Sequence, residues 1–326
     1  MMEGLYMHKK DPTIAVILLN WNGKRDTLEC LDSLQKVGYS HFQVIIVDNG
    51  SKDNSVAIFR EKYPRIPILE TGQNLGFAGG NNAGIEWALR HGADWILLLN
   101  NDTVVAPDFL DAFLAAAKEK PKAGILGAKI LRYDNPQMID HLGGAWNFER
   151  GEFSSFHSGE ADHPYFQMQS VDYVCGAGFL MRRAVVEAIG YLEPQFFLFW
   201  EESDFCFRAK KAGFEVWTAP SAKIWHKVSS SFIGGKPHMH YFWWRSRLLW
   251  MERNLSRAER RILYRKTLVP EYWKLARHFV LKSLLCFFAP NPRRKEQVRR
   301  LRAGLTGVFH FYRRKFGNAP SWLLKS

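Results

Sequence analysis

Short hydrophobic runs recur through the first hundred positions of this 326-residue chain. Four of them, at residues 14–20, 42–49, 66–70 and 94–102, are bounded by turn residues and are too short for helices. Nearly continuous apolar character of this kind is typical of strands buried on both faces of a parallel sheet. The pattern therefore predicts a central sheet that is covered on both sides.

Helical patterns alternate with these runs at residues 25–37, 53–63 and 78–91. This alternation predicts the α/β class, with a doubly wound, mostly parallel, Rossmann-like sheet. Further along, the pattern predicts a helix over 107–118, a strand over 123–131, a helix near 183–189 and a strand over 214–220. Residues 132–172 are rich in Gly, His and aromatic residues, and we expect them to form loops and short strands near a site.

Each predicted strand of the first half is followed by a polar cluster. The clusters are Asn20-Trp21-Asn22, Asp48-Asn49-Gly50-Ser51, Gly72-Gln73-Asn74 and Asn100-Asn101-Asp102. In open α/β sheets, ligands bind outside the carboxyl ends of the strands. The clusters therefore predict a ligand site at one edge of the sheet.

The residue types in these clusters suit a phosphorylated ligand and a metal. Asp102 lies at a strand end, where its carboxylate suits a hard divalent ion that also coordinates phosphate oxygens. The alternative is that Asp102 forms an Asx turn. Asp48 suits hydrogen bonds to a ribose or base, while Ser51 or Asp53 suits a helix cap. The glycine-rich residues 72–82 open a helix and suit either a pyrophosphate or a purely structural turn.

A second acidic cluster lies at Glu201, Glu202 and Asp204, among aromatic residues. Carboxylates crowded in an apolar setting have raised pKa values, which suits a general base, and helix capping is the alternative. His226 follows a predicted strand and precedes residues 229–235, a Ser-Gly loop that suits a mobile lid. A lone His is more often a packing or surface residue than a ligand.

Charge is divided unevenly along the chain. From residue 241 onward there are 21 Lys and Arg against 4 Asp and Glu, whereas the first 240 residues carry 24 against 28. Leucines and aromatic residues alternate with arginines at helical spacing in this basic region, with breaks at Pro270 and at residues 289–292. The pattern predicts basic amphipathic helices that either lie on an anionic membrane surface or pack on the preceding domain.

The spacing of the cysteines and the lengths of the apolar runs indicate the cellular compartment of the protein. The four cysteines are far apart and form no CxxC pair, so we expect neither disulfides nor a zinc site, and a reducing cytosol fits. The sequence has no apolar run of signal-peptide length at its start and none long enough to span a membrane. We therefore expect a cytoplasmic protein.

The motifs together resemble glycosyltransferase family 2, of the GT-A fold, and most closely its bacterial rhamnosyltransferase-like branch. The matching segments, in order, are ILLNWNG, VDNGSKDNS, NLGFAGGNNAGI, LLLNNDT, CGAGFLMRR, FWEESDFCFR and WH followed by serines. The resemblance spans residues 13–253. Several motifs in one order are far more specific than any single motif.

The resemblance implies a role for each candidate residue. Nucleotide-sugar contacts would come from Asn20, Asn22, Asp48, Asn74, Gly79, Asn100 and Asn101. The family's DxD motif falls on Asn100-Asn101-Asp102, so Asp102 would be the principal ligand for Mg²⁺ or Mn²⁺, with His226 as a second ligand. The base would be Glu202, with Asp204 as the other candidate. Gly176, Ala177, Gly178, Trp200 and Glu201 would line the sugar and acceptor pocket.

The implied activity is inverting transfer of a sugar, for example a deoxyhexose such as rhamnose, in cell-surface polysaccharide synthesis. The donor would be a nucleoside-diphosphate sugar, and the acceptor a saccharide or a polyprenyl-diphosphate-linked saccharide. We expect a catalytic domain over 13–237, with a nucleotide-sugar half over 13–105 and an acceptor half over 106–237. Residues 1–12 would form an N-terminal tail and residues 238–326 a basic helical extension on the inner face of the cell membrane.

Two other classes of protein fit parts of the sequence. A nucleotidyltransferase would share the sheet, nucleotide and metal, but would carry a Gly-rich basic loop where residues 20–25 read NWNGKR. A non-catalytic nucleic-acid- or membrane-binding scaffold would explain the pI near 9.6. No nucleic-acid-binding motif is present, so we expect no nucleic-acid partner.

Overall fold

The computed structural model describes residues 11–227 and 236–324. The first half contains strands β1 (Ile14–Asn20), β2 (Phe42–Asp48), β3 (Ile68–Glu70), β4 (Trp95–Asn100) and β5 (Thr103–Val105), and helices α1 (Lys24–Leu34), α2 (Ser55–Lys62), α3 (Gly76–Arg90) and α4 (Phe109–Glu119). These elements confirm the predicted α/β alternation. Helix α3 begins at Gly76, two residues before the predicted start.

The middle of the chain is built mostly from strands. They are β6 (Ala123–Arg132), β7 (Ile139–His141), β8 (Gly144–Asn147), β9 (Glu152–Ser155), β10 (Gly178–Arg182) and β11 (Glu215–His226), with helices α5 (Arg183–Ile189) and α6 (Glu201–Lys211). The short strands β7, β8 and β9 fall in the segment that the sequence predicts as loops and short strands.

One nine-stranded sheet runs through the molecule in the order β3-β2-β1-β4-β10-β6-β11-β5, with β7 paired to β6. The pairs among β3, β2, β1 and β4 are parallel, as predicted. Strand β10 then enters antiparallel between β4 and β6, and β5 pairs antiparallel with β11. Strand β11 pairs parallel with β6, so six of the nine strands run in one direction, and β10, β5 and β7 run against them and make the sheet mixed.

Both faces of this sheet are covered. Along β1, Ile14, Val16 and Leu18 belong to one core cluster, while Ala15 and Ile17 belong to another on the opposite face. The first cluster includes residues of α1 and α4, and the second includes residues of α3, α5 and α6. A strand that buries both of its faces has no solvent side, which explains the continuous apolar runs in the sequence.

The C-terminal region is helical, as predicted. It comprises α7 (Pro237–Asn254), α8 (Arg257–Leu263), a π-helical turn (Tyr264–Leu268), α9 (Val269–Phe288), α10 (Pro292–Tyr312) and α11 (Ser321–Leu324). The predicted break at residues 289–292 is confirmed, since α9 ends at Phe288 and α10 begins at Pro292, but the predicted break at Pro270 is wrong: α8, the π-helical turn and α9 form one continuous helix, and the π turn lies directly before Pro270. Among the described residues, no helix is long and apolar enough to cross a membrane.

Helices α7 and α10 pack at very close range. A Cβ atom on Gly307 would overlap the backbone carbonyl of Tyr241, and one on Gly304 would lie 2.9 Å from Cδ1 of Trp244. The two glycines lie one helical turn apart on the face of α10 that contacts α7. Their missing side chains let the two backbones approach.

We expect Gly307→Val to destabilise the protein by about 2 kcal/mol, because the added side chain must push α10 away from the α7 backbone. The midpoint of urea-induced unfolding, followed by circular dichroism, measures this change. The control is Thr306→Val, at the preceding position. It leaves the side-chain volume nearly unchanged and is expected to shift the midpoint of unfolding far less. Equal shifts for the two variants would mean that the α7–α10 approach contributes nothing specific to stability.

Candidate active site

The carboxyl ends of β1, β2 and β4 bring the predicted donor residues together. Asn20 is fully buried, and its Nδ2 donates to Asp48 Oδ1 at 2.8 Å and to Ser51 Oγ at 3.0 Å. Its Oδ1 accepts from Thr27 Oγ1 at 3.0 Å and from Asn101 Nδ2 at 3.4 Å. Asn20 therefore links three of the polar clusters at the sheet edge.

Neighbouring residues shape the loops around this link. Asn22 adopts a left-handed backbone conformation (φ 53°), and its Oδ1 accepts from the backbone N–H of Lys52 at 2.7 Å. Asp53 accepts from the backbone N–H groups of Lys24 and Ser55 at 3.2 Å, the first residues of α1 and α2, although the N-cap position of α2 is Asn54. Asp48, at the end of β2, is only 3% exposed, and its two oxygens accept from Asn20 Nδ2 and from the backbone N–H of Ser51.

Asn49 holds the glycine-rich loop of residues 72–82 in place, a role that its position in the sequence did not predict. It is buried, donates to Asn74 Oδ1 at 3.2 Å and to the Gly76 carbonyl at 3.0 Å, and accepts from the backbone N–H of Leu75 at 2.9 Å. A Cβ atom on Gly79 would lie 2.8 Å from Cβ of Leu75. The small residue at 79 thus lets the loop fold against the first turns of α3.

Asp102 and His226 meet, although 124 positions separate them in sequence. Strand β5 begins at Thr103 and pairs with the end of β11, which brings His226 Nε2 to 3.1 Å from Asp102 Oδ1. Nδ2 of Asn100 lies 3.5 Å from the same Nε2. The two residues that the resemblance implies as metal ligands therefore lie side by side, and both are 8% exposed.

Asp140, at the centre of β7, is a further member of this cluster that the sequence did not indicate. Its Oδ2 lies 3.8 Å from His226 Nδ1, on the opposite side of the ring from Asp102. Burial alone would lower the pKa of His226, but the hydrogen bond to Asp102 and the charges of Asp102 and Asp140 outweigh it and raise the pKa to about 9. Only the pairing of β7 with β6 brings Asp140 here.

This pair of side chains fits a divalent cation held jointly with substrate phosphates. One carboxylate and one imidazole supply two donor atoms in adjacent positions, and Mg²⁺ or Mn²⁺ sites of this kind are completed by phosphate oxygens and water. Within the described parts of the chain there is no cluster of three His, Cys, Asp or Glu residues placed to hold a metal. Among the described residues, Asp102 and His226 are therefore the side chains placed to supply the protein ligands of such an ion.

Residues 176–178 lead into β10 beside the end of β4. The Ala177 carbonyl accepts from the backbone N–H of Asn100 at 3.2 Å, and a Cβ atom on Gly176 would lie 2.8 Å from Cζ of Phe77. A Cβ atom on Gly178 would meet Ala128 and Ile224, so both glycines are required by close packing. Burial, together with the charges of Glu202, Asp140 and Asp102, raises the pKa of the preceding Cys175 to about 12. The turn is thus fixed against the end of β4, directly before Asn101 and Asp102.

Glu202 lies in the first turn of α6 with one carboxyl oxygen uncommitted. Its Oε2 is buried and has no hydrogen-bond partner, and burial raises its pKa to about 7. Glu201 is 2% exposed, and burial together with the charge of Glu202 raises its pKa well above the usual range. A carboxyl group with a pKa near neutrality and a free oxygen is suited to take a proton from a hydroxyl group.

Asp204 has a different environment from Glu202. It has no exposed surface and accepts from Arg208 Nε at 2.8 Å, Arg253 Nε at 2.9 Å and Asn254 Nδ2 at 2.9 Å. Its oxygens are therefore committed to α6 itself and to the C-terminal end of α7. This geometry favours Glu202 over Asp204 as the base and gives Asp204 a supporting role.

The loop that leads into α6 is strained. Phe197, Phe199 and Trp200 have φ values of 65°, 67° and 74°, in the left-handed region that residues with side chains rarely adopt. Each such residue costs about 1–3 kcal/mol unless its surroundings hold it in place. Trp200 packs at 6.0 Å (centroid to centroid) from Trp250, so the predicted pocket residue also belongs to an aromatic cluster with α7.

Helix α7 holds this strained loop. Arg245 is fully buried and donates to the Phe196 carbonyl at 3.0 Å and to the Gly317 carbonyl at 2.7 Å. Ser246 donates to the Phe196 and Leu198 carbonyls at 3.2 and 3.0 Å. The C-terminal region therefore supports the segment that presents Glu202. The suggested lid at residues 229–235 lies outside the described residues.

Comparison with known proteins identifies the family. The profile of glycosyl transferase family 2 matches residues 15–190, more than half of the chain, and the chain belongs to that family. Among curated proteins it is similar to the N-acetylglucosaminyl-diphospho-decaprenol L-rhamnosyltransferase of Mycobacterium tuberculosis (strain CDC 1551 / Oshkosh), with 27% identity over 69% of this chain and 84% of the relative. It is also similar to the dTDP-rhamnosyl transferase RfbF of Shigella flexneri, with 21% identity over 68% of this chain and 71% of the relative.

Solved structures agree on the fold. The mannosyltransferase PcManGT from Pyrobaculum calidifontis, solved with GDP-Man and Mn²⁺, matches with a TM-score of 0.56 and 15% identity over 93% of this chain and 88% of that chain. GalNAc-T7, solved with UDP, GalNAc and Mn²⁺, matches with a TM-score of 0.55 and 12% identity over 67% of this chain and 44% of that chain. The chain is a glycosyltransferase with a GT-A-like fold, which decides against the nucleotidyltransferase and scaffold alternatives.

We expect Asp204→Ala to lower the free energy of unfolding by about 3 kcal/mol, because two guanidinium groups and an amide lose their buried acceptor. Glu202→Gln should leave stability unchanged or raise it. The pKa of Glu202 is raised on folding, so ionisation of this group destabilises the native protein as pH rises from about 4.5 to about 7, and glutamine removes that loss. Urea unfolding of the three proteins at pH 5 and pH 8 measures both effects.

The pH comparison separates the two carboxylates. The advantage of Glu202→Gln over the wild type should be larger at pH 8 than at pH 5. A loss of stability in Glu202→Gln as large as that in Asp204→Ala would show that Glu202 is also a structural anchor.

Proposed function

We propose that this glycosyltransferase acts by a single inverting displacement with Glu202 as the general base. The observation that carries the proposal is the buried Oε2 of Glu202, which has no hydrogen-bond partner among the described residues and belongs to a carboxyl group whose pKa burial raises to about 7. In the reaction, Glu202 takes the proton of an acceptor hydroxyl group while its oxygen forms a bond to the anomeric carbon. The bond from that carbon to the diphosphate oxygen breaks, and the nucleoside diphosphate leaves.

The donor nucleotide would lie across the carboxyl ends of β1, β2 and β4. Asp48, Asn22, Asn74 and the start of α3 near Gly79 surround this edge, while the N–H groups of Leu75, Gly76 and Phe77 already donate to Asn49, Asn74 and the Phe197 carbonyl. Because Asn20 is fully buried and fully bonded, we assign it to orienting Asp48 and Asn101 rather than to touching the base. Asn100 would lie between the donor diphosphate and His226.

Asp102 and His226 would hold Mg²⁺ or Mn²⁺. When bound, the ion would stabilise the negative charge that develops on the departing diphosphate. The adjacent donor atoms of the two residues support this assignment, and two structural neighbours contain Mn²⁺. Asp140 would keep the His226 ring in position from the other side, as acidic partners of metal-binding histidines commonly do.

The donor sugar and acceptor are inferred from the relatives. Two curated relatives from distant bacteria are named as rhamnosyltransferases, so we propose a deoxyhexose donor of the dTDP-rhamnose class. The mycobacterial relative is named for a decaprenol diphosphate acceptor, which supports a lipid-linked saccharide acceptor here. The sugar and acceptor would meet against Gly176, Ala177, Gly178, Glu201 and Trp200. An acceptor of this kind places the enzyme on the inner face of the cell membrane as a peripheral protein.

Donor turnover tests the class and the base. With a panel of nucleotide sugars and lipid-linked acceptors, the wild type should release nucleoside diphosphate from one or two donors. Glu202→Gln should lower kcat at least about 100-fold, and the wild-type rate should rise with pH around an apparent pKa near 7 because the base must be ionised. Glu215→Gln serves as the control, because Glu215 is a half-buried carboxylate at the opposite end of β11 from His226 and accepts only from Trp217 Nε1 among the described side chains. Retained turnover in Glu202→Gln would exclude Glu202 as the base.

Metal removal tests the Asp102–His226 pair. EDTA should abolish turnover, and Mn²⁺ or Mg²⁺ should restore it in the wild type. Asp102→Ala should lose both turnover and calorimetrically measured binding of Mn²⁺ in the presence of nucleoside diphosphate, and Asp140→Asn should weaken that binding about 10-fold. Full activity in EDTA would rule out the metal assignment while leaving the Glu202 assignment intact.

A further inference from the structure

Helix α9 differs from the other long helices of the C-terminal region because it buries none of its residues. Helix α7 buries twelve, including Arg245, Arg247 and Trp250, and packs between α6 and α10. On α9, by contrast, Phe287, Phe288 and Trp273 are 80%, 79% and 74% exposed. Side chains of this size are rarely left in water in such a group.

The exposed apolar residues of α9 share one face of the helix. We call this set the α9 face; it comprises Trp273, Val280, Leu281, Leu284, Leu285, Phe287 and Phe288. Pairs of members lie three, four or seven residues apart (273/280, 280/284, 281/285, 284/287 and 284/288), so the set occupies one side of the helix. The opposite side turns toward α10, where a Cβ atom on Gly304 would lie 3.4 Å from Leu275. The apolar face therefore points outward, with no described part of the chain over it.

Positive charge surrounds this face. Residues 272–295 contain six Lys or Arg residues and no Asp or Glu. Lys274 and Arg277 lie on α9, and Arg293 and Lys295 lie in the first turn of α10, just beyond the two exposed phenylalanines. All four are exposed. Apolar side chains bordered by cations match the profile of a bilayer surface, where anionic headgroups lie above acyl chains.

We propose that the α9 face docks on an anionic lipid bilayer, with Phe287 and Phe288 among the acyl chains and the four exposed cations at the headgroup phosphates. A second copy of the chain is a poorer occupant, because two α9 faces would bring two sets of six uncompensated cations together. Nucleic acid would match the cations but not the apolar stripe.

This docking deepens the proposed function, since it rests on a lipid-linked acceptor for its biological meaning. Helix α7 contacts both α6, which carries Glu202, and α10, which packs on α9. The same rigid connection that supports the active-site loop would therefore hold the site close to the bilayer.

Vesicle co-sedimentation tests the proposal with the full chain. Wild-type protein should bind vesicles of phosphatidylcholine mixed with phosphatidylglycerol and bind far less to phosphatidylcholine alone. Phe287→Ser/Phe288→Ser should lower the partition coefficient at least about 10-fold. Lys274→Gln/Arg277→Gln/Arg293→Gln/Lys295→Gln should lower it by about fivefold for each cation removed and should weaken its salt dependence.

Matched controls keep the experiment decisive. Tyr165→Ser removes an aromatic ring that is 78% exposed elsewhere, and Lys52→Gln/Lys62→Gln removes distant surface cations; both should bind like the wild type. Unchanged circular dichroism and sedimentation velocity would show that the α9 variants remain folded. Equal binding by the wild type and the Phe287→Ser/Phe288→Ser variant would overturn the proposal. So would a wild-type dimer that this variant converts to monomer without any change in vesicle binding.

A loss of vesicle binding can be distinguished from a loss of catalysis, because the two are measured separately. The Phe287→Ser/Phe288→Ser variant should keep wild-type turnover on a detergent-dispersed acceptor and lose it selectively on the same acceptor in vesicles. If no donor is turned over but vesicle binding follows the α9 face, the proposed reaction is wrong and the docking surface stands.

Discussion

The buried polar contacts between α7 and the loop before α6 hold the active site in shape. Arg245 and Ser246 satisfy the carbonyl groups of residues 196 and 198, in a segment where three non-glycine residues have positive φ. One turn further, Arg253 and Asn254 satisfy Asp204. Without these contacts the loop would relax to ordinary backbone angles, and the buried carboxylate would have to find solvent. The first turn of α6, and with it Glu202, is thus fixed from outside the sheet.

A different arrangement holds the donor edge. There the strand ends are tied to one another by amide side chains: Asn20 joins Asp48 to Asn101, and Asn49 fixes the loop before α3. Asparagine suits this work because its amide both donates and accepts, so that one side chain can satisfy neighbours on two strands. The consequence is a rigid frame of hydrogen bonds around the carboxyl ends of β1, β2 and β4.

The basic C-terminal region serves two purposes that composition alone could not separate. Helices α7 and α9 both mix aromatic, leucine and basic residues, yet α7 is largely buried and α9 is not. In α7, Arg245 and Arg247 donate to carbonyl groups of the catalytic region and also to Gly317 and Glu271 of the C-terminal region, so that they pack as core residues. In α9 the cations have water beside them and the aromatic residues face outward. The first purpose is structural support for the site, and the second is a surface for a partner.

The sequence by itself determined the elements and the chemistry at each strand end. Buried strands must be apolar and turns must be polar, so β1 to β4, the helices between them and the clusters at residues 20–22, 48–51 and 100–102 were predictable from local pattern. The order of the motifs identified the family. The acidic cluster at 201–204 was visible too, but Glu202 and Asp204 could not be told apart.

Only the tertiary structure decided which groups meet and which remain free. The antiparallel entry of β10, the approach of Asp140 to His226 and the capture of Asp204 by α7 join residues far apart in the chain. No periodicity encodes such pairings, because they depend on sheet order and on which hydrogen bonds are already used. The same reason applies to the C-terminal helices: burial is a property of the packed molecule, so identical residue types became core in α7 and surface in α9.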